Sequence, residues 1–143
     1  MMRLLLTTTL LGLTALSSTA FGAMQPGLYD ISMQIVIRNM ALELPVVTFR
    51  QCLSAKDIAE GKAFATSNNT QDCRISNLRY SGNAVRYDFN CAIEGGRTVI
   101  GQAAGTRHLA GYDTLMSGRF VPAIEGLSEI NQRMRATRVG MCN

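Results

Sequence analysis

The chain has 143 residues, a formal net charge of +4, four cysteines, no tryptophan and one histidine. Its 14 basic side chains are almost all arginine and are dispersed along the chain, so it lacks the basic stripe with interleaved aromatics that nucleic-acid binding requires. A chain of this size supports one domain with a core of limited margin.

Residues 1–22 read as a secretory signal peptide. Met1-Met2-Arg3 gives a positive start, Leu4 to Leu16 is apolar and uncharged, and Ser17 to Gly22 is small and mostly polar. The apolar run is shorter than the roughly 20 residues a spanning helix needs. Ala20 and Gly22 suit positions −3 and −1, placing cleavage after Gly22, with cleavage after Ala20 as the alternative. Residues 23–143 then form a single β-rich domain, periplasmic or secreted, with no transmembrane segment in the mature chain. Loss of Arg3 with the leader lowers the net charge to +3.

Period-two alternation dominates the chain after the leader. Tyr29, Ile31, Met33, Ile35 and Ile37 share one face of a strand at about 27–38, and Asp30, Ser32, Gln34 and Arg38 the other. A second strand covers about 45–53, with Pro45 confined to its start or an edge. Ser54 and Asp57 form a capping box for a short helix at about 55–61, with Ile58 and Phe64 as candidate anchors and Gly61 as its end. Cys73–Tyr80 and Ala84–Ile93 are the arms of a hairpin around Ser81-Gly82-Asn83, with Val85, Tyr87, Phe89, Cys91 and Ile93 inward. A strand at 97–107 is rich in glycine and alanine, which points to a sharp bend or close backbone approach. Strands at about 112–121 and 128–139 complete the chain. The expected fold is mainly β, an antiparallel meander of about seven strands curled into a half-barrel or barrel, with one short helix near 55–61.

Cys52, Cys73, Cys91 and Cys142 all lie after the leader and are expected to form structural disulfides in an oxidising compartment. No pair has zinc-site spacing, and Cys-x-x-Cys is absent. Two connectivities are suggested by chain proximity. The preferred one joins Cys52 to Cys73, stapling the helix excursion, and Cys91 to Cys142. The other joins Cys73 to Cys91 and Cys52 to Cys142. A two-residue turn at Gly82-Asn83 places Arg74 opposite Cys91, so the second pairing needs an extra turn residue or a bulge.

No catalytic, cofactor or metal motif stands out, and enzymatic activity is not expected. His108 falls at a predicted turn beside Arg107, and no serine lies in a nucleophile elbow. Asp30 and Asp88 fall on outward faces. Two non-catalytic functions fit. The first is a binding module in which Met33, Ile35, Phe49, Tyr87, Phe89 and Met116 line a concave face and hold a small hydrophobic molecule. The second is a structural or interaction module that meets an envelope protein. No cofactor is implied.

The segments Pro26-Gly27-Leu28-Tyr29, Gln51-Cys52-Leu53-Ser54, Asp72-Cys73-Arg74-Ile75 and Tyr80-Ser81-Gly82-Asn83, with the Cys91 strand and Gly140-Met141-Cys142, resemble the bacterial domain-of-unknown-function family 3617. The resemblance spans essentially all of the mature chain. It implies an exported, strand-rich protein and brings no catalytic residues with it. Tyr29-Asp30 stands where that family's pattern has Trp-Glu.

Overall fold

The computed structural model describes residues 23–143 apart from 38, 39, 41, 66, 69, 70 and 128. The leader therefore lies outside the described residues. The elements are β1 (Gly27–Ile37), β2 (Leu42–Glu43), β3 (Val47–Leu53), α1 (Ala55–Ala59), a 3-10 turn (Lys62–Phe64), β4 (Ser67–Asn68), β5 (Gln71–Ser81), β6 (Ala84–Ile93), β7 (Arg97–His108), β8 (Gly111–Val121) and β9 (Ile130–Gly140). Seven long strands join in one antiparallel sheet ordered β3-β1-β9-β8-β7-β6-β5. The two-residue strands β2 and β4 extend β1 and β5. β3 and β5 are the long edge strands and do not pair, so the sheet is open rather than a closed barrel.

From β5 to β9 the chain is a simple meander, but β1 is not its next member. It lies between the last strand and β3, with Met33 level with Met134 on one side and Val47 on the other. Alternating pairing makes β3 and β5 run in the same direction. Strands so related need a crossover, not a hairpin. The segment between them is that crossover, and it lays α1 and the 3-10 turn across the inner face.

Local chemistry shapes the crossover. The Ser54 side chain accepts from the Asp57 amide while Asp57 accepts from the Ser54 amide, the reciprocal capping box expected from sequence. Gly61 takes φ +75°, the left-handed conformation glycine adopts most readily, and redirects the chain into the 3-10 turn. That turn buries Ala63 and Phe64. Phe64 stacks on Tyr87, with centroids 5.2 Å apart, and is tilted against Tyr112 at 4.9 Å. The Tyr112 hydroxyl donates to the Ala63 carbonyl at 2.7 Å, so a buried polar group is satisfied where the crossover docks.

The inner face obeys the alternation of the strands. Tyr29, Ile31 and Met33 of β1, Val85, Tyr87, Phe89 and Cys91 of β6, and Tyr112, Thr114 and Met116 of β8 are buried, with Met134 and Ala136 of β9. A single sheet layer covered only by a five-residue helix and one turn can hide this much apolar surface only by wrapping around it. One end of the wrap is shut. Met24 is buried there, the Gln25 amide donates to Leu109 O, the Arg138 amide to Ala110 O, and the Arg107 amide to Asn83 O.

The disulfides correct the preferred pairing. Cys52 bonds to Cys142 and Cys73 to Cys91. The cause lies in β5. Beside the Gly82-Asn83 turn, Arg79 is level with Arg86; beyond a bulge between Ser76 and Arg79, Ser76 is level with Asp88. One extra residue on β5 thus brings Cys73, not Arg74, opposite Cys91. Asn77 sits in the bulge at φ +51°, and its side-chain amide donates to Asp88 Oδ2 at 2.6 Å. Cys52 and Gly140 are both level with Leu28 on opposite sides of β1, so the C-terminal residues reach Cys52 across the start of that strand.

Candidate functional site

At the end of the sheet opposite the closed one, five strands contribute apolar side chains to an open cavity of about 330 Å³. Ile35 of β1, Phe89 and Ile93 of β6, Val99 of β7, Met116 and Phe120 of β8 and Ile130 of β9 line it, with Cys91, Gln132 and Glu94. The volume lies at the lower end of the range for small-molecule sites, and a mainly apolar lining with few polar groups is their usual character.

Backbone geometry makes the space. Gly101 and Gly118 are opposed across β7 and β8, in the same row as Phe89. A Cβ at Gly118 would lie 2.9 Å from Phe89 Cζ and 3.0 Å from Val99 Cγ1, so the Phe89 ring occupies room that any side chain there would claim. Gln132 is the polar group inside. It is buried, level with Ile35 and Met116, and its Nε2 lies 2.7 Å from the Met33 sulfur, to which it donates. Glu94 stands in the turn after Ile93 and is exposed, placing a carboxylate at the mouth.

Of the six residues proposed from sequence to line the concave face, Ile35, Phe89 and Met116 line this cavity. Met33 is buried beside it, bonded to Gln132. Tyr87 belongs to the filled half, under Phe64. Burial pushes its phenol up to about 12, an effect tempered by the neighbouring Thr114 hydroxyl. Tyr112 is pushed further up by deeper burial and by Tyr87 beside it. Phe49 is half-buried and borders a broader depression of about 520 Å³ with Asp30, Thr48, Arg50 and Arg135. That depression is larger but the weaker candidate. Arg50 Nε is 2.7 Å from Asp30, and Arg135 Nε is 2.9 Å from Asp113, so its charges already have partners.

The other side chains weighed from sequence do not converge. His108 is exposed, and its Nδ1 accepts from the Ala110 amide at 3.2 Å within a turn. Asp30 and Asp88 are held by Arg50 and Asn77 respectively. Asp113 receives Arg133 at 3.0 and 2.7 Å and Arg135 at 2.9 Å, and these hydrogen bonds, Arg133 first, hold its carboxyl below the usual range. Among the described residues, no three His, Cys, Asp or Glu side chains group to hold a metal ion. The methionines divide. Met33, Met116 and Met134 are interior, whereas Met40 and Met141 are exposed.

Val99, Phe120, Ile130 and Gln132 are cavity residues that alternation could place inward without showing that they meet. Their legible signal is an inward position near a strand end.

The sequence profile of a family described as "Protein of unknown function (DUF3617)" matches residues 24–142, and the chain belongs to that family. No curated protein and no solved structure shows significant similarity to it.

Proposed function

We propose that this member of the family is an exported, non-catalytic binding protein that holds a small hydrophobic molecule at the open end of its curved sheet. One observation carries the reading: an apolar cavity of about 330 Å³ persists beside a half of the same face that is filled by its own aromatic side chains. Close packing is the rule inside proteins, so an unfilled apolar space on a folded sheet is the place to seek a ligand. The two disulfides, with no helix among the described residues long and apolar enough to cross a membrane, are consistent with an extracytoplasmic location. Periplasmic residence is part of this proposal.

The test uses the absence of native tryptophan. A Phe120→Trp variant places a single indole in the cavity wall. Its emission is expected to shift on titration with medium-chain alkyl amphiphiles, and Val99→Phe, which fills the space, is expected to abolish the shift. Native mass spectrometry of protein taken from its own cell should show a bound apolar mass that Val99→Phe loses. No retained mass, and no emission shift across alkyl, terpenoid and aromatic probes, would refute the reading.

A further inference from the structure

We propose that the free edge of β3 pairs with the same edge of a second copy of the chain, joining the two sheets about a two-fold axis. Amide and carbonyl groups of successive strand residues point to alternate sides. The Ile35 carbonyl accepts from the Leu44 amide, so it points to the β2–β3 side of β1, and Ile31 and Met33 point the same way. Their level partners Phe49 and Val47 therefore bond to β1, while the amides and carbonyls of Thr48 and Arg50 point outward. No further strand pairs with them among the described residues. The two long edges of the sheet differ in how they are guarded. β5 carries the bulge at Asn77, with exposed Arg74 and Arg79 on either side of it. β3 keeps one unbroken register from Val47 to Leu53 and has neither bulge nor proline. An edge of that kind is a template for another strand.

The register favours a second copy as the occupant. Outward-facing residues must meet outward-facing residues, so an antiparallel two-fold has to centre on a residue. Centred on Arg50, it sets two arginines opposite each other, which destabilises. Centred on Gln51, it brings Val47 of the second copy level with Ala55, where α1 begins. Centred on Thr48, it overlaps only residues 47–49 of β3. Centred on Phe49, it overlaps residues 47–51, sets the two Phe49 rings together and places Thr48 level with Arg50 of the second copy. Those two residues exchange two amide–carbonyl hydrogen bonds, and the symmetry repeats them. The exposed apolar side chains then match end to end. Val46, 55% exposed, comes level with Cys52 of the second copy, whose bond to Cys142 brings the 78% exposed Met141 alongside. Each end of the strand thus covers the other end of its copy, the self-complementarity that an isologous contact requires. β3 contributes no residue to the cavity, so pairing leaves the binding site open.

The experiment is the solution mass of the mature chain by analytical ultracentrifugation, from about 1 µM to about 1 mM. The wild-type protein is expected to reach twice the monomer mass. Thr48→Pro removes an outward amide and spares the β1 ladder, so it is expected to fold, with unchanged circular dichroism, and to associate about tenfold or more weakly. Phe49→Cys reads the register directly, whatever the folding of the proline variant. It is expected to form a covalent dimer on oxidation, because side chains of a non-hydrogen-bonded pair lie closest. Gln51→Cys, level with Val47 of the second copy and not with its own counterpart, is expected to form none. A wild-type monomer throughout, a dimer unaffected by Thr48→Pro, a Phe49→Cys variant without a covalent dimer, or one formed by Gln51→Cys overturns the proposal. So does a covalent adduct of Phe49→Cys with a different protein in place of the second copy.

Discussion

Phe64→Ala tests how the crossover holds the inner face. Phe64 is 1% exposed and its ring meets Tyr87 and Tyr112 at 5.2 and 4.9 Å. Truncating a buried phenylalanine to alanine costs about 3–5 kcal/mol, and that range already contains much of the roughly 0.5–1.5 kcal/mol of each ring contact. The turn is held in place by the Tyr112 bond to Ala63, itself buried, and by the amide bonds within the crossover, so relaxation around the cavity should be incomplete. We expect about 4 kcal/mol, a large share of a typical domain stability of roughly 5–15 kcal/mol. In urea, with a slope of about 2 kcal/mol per molar, the midpoint should fall by about 2 M. Circular dichroism and tyrosine fluorescence should report the same transition. A midpoint change below about 0.5 M at unchanged slope would mean that the crossover is not docked as described. Because Phe64 lies in the filled half, the folded variant should keep the emission response of the Phe120→Trp cavity.

The two disulfides should contribute unequally. By loop-closure entropy, separations of 90 and 18 residues correspond to about 4.6 and 3.2 kcal/mol, so the double serine variant at Cys52 and Cys142 should be the less stable in urea. Peptide mapping without reduction should recover Cys73 linked to Cys91, and a Cys52–Cys73 fragment would overturn the register argument. Gly118→Ala should cost roughly 1–3 kcal/mol by displacing Phe89 and Val99. Gly101→Ala should cost more, since its Cβ would meet the Ser117 carbonyl oxygen at 2.0 Å, and equal midpoints would contradict the geometry. Finally, Tyr87 ionises in the unfolded chain near pH 10 and in the folded chain near 12. The unfolded state therefore binds fewer protons above pH 10, and stability should fall on the order of 2–3 kcal/mol by pH 12, more with the Tyr112 contribution. Spectrophotometric titration should show part of the tyrosine signal appearing only with unfolding, and Tyr87→Phe should flatten the decline.

Much of the fold is legible because its determinants are local. Alternation in Tyr29–Ile37 and Val85–Ile93 places each side chain on the inner or outer face without knowledge of its partner, and the burial follows it over Tyr29–Met33 and Val85–Cys91. The capping box at Ser54 and the left-handed Gly61 act within a few residues, so the helix appears where its sequence predicts. Connectivity between distant segments is less legible. The Cys73–Cys91 bond depends on one extra residue at Asn77, a shift that no hydrophobic pattern announces.

The cavity lies at the far end of that scale. Ile35, Phe89 and Met116 are inward by periodicity, but so are Tyr87 and Met33, and the same rule assigns them all to one face. What separates them is where the crossover lands: Phe64 fills the space above Tyr87 and Tyr112 and leaves the row from Ile35 to Phe120 uncovered. The sequence alone thus determined the strands, their inward faces, the short helix and the presence of disulfide-forming cysteines, since each depends on neighbours in the chain. Tertiary structure decided the placement of β1 beside β9, the disulfide pairs, the open sheet and the cavity. Those depend on register and on which distant surfaces meet, and a one-residue shift changes both.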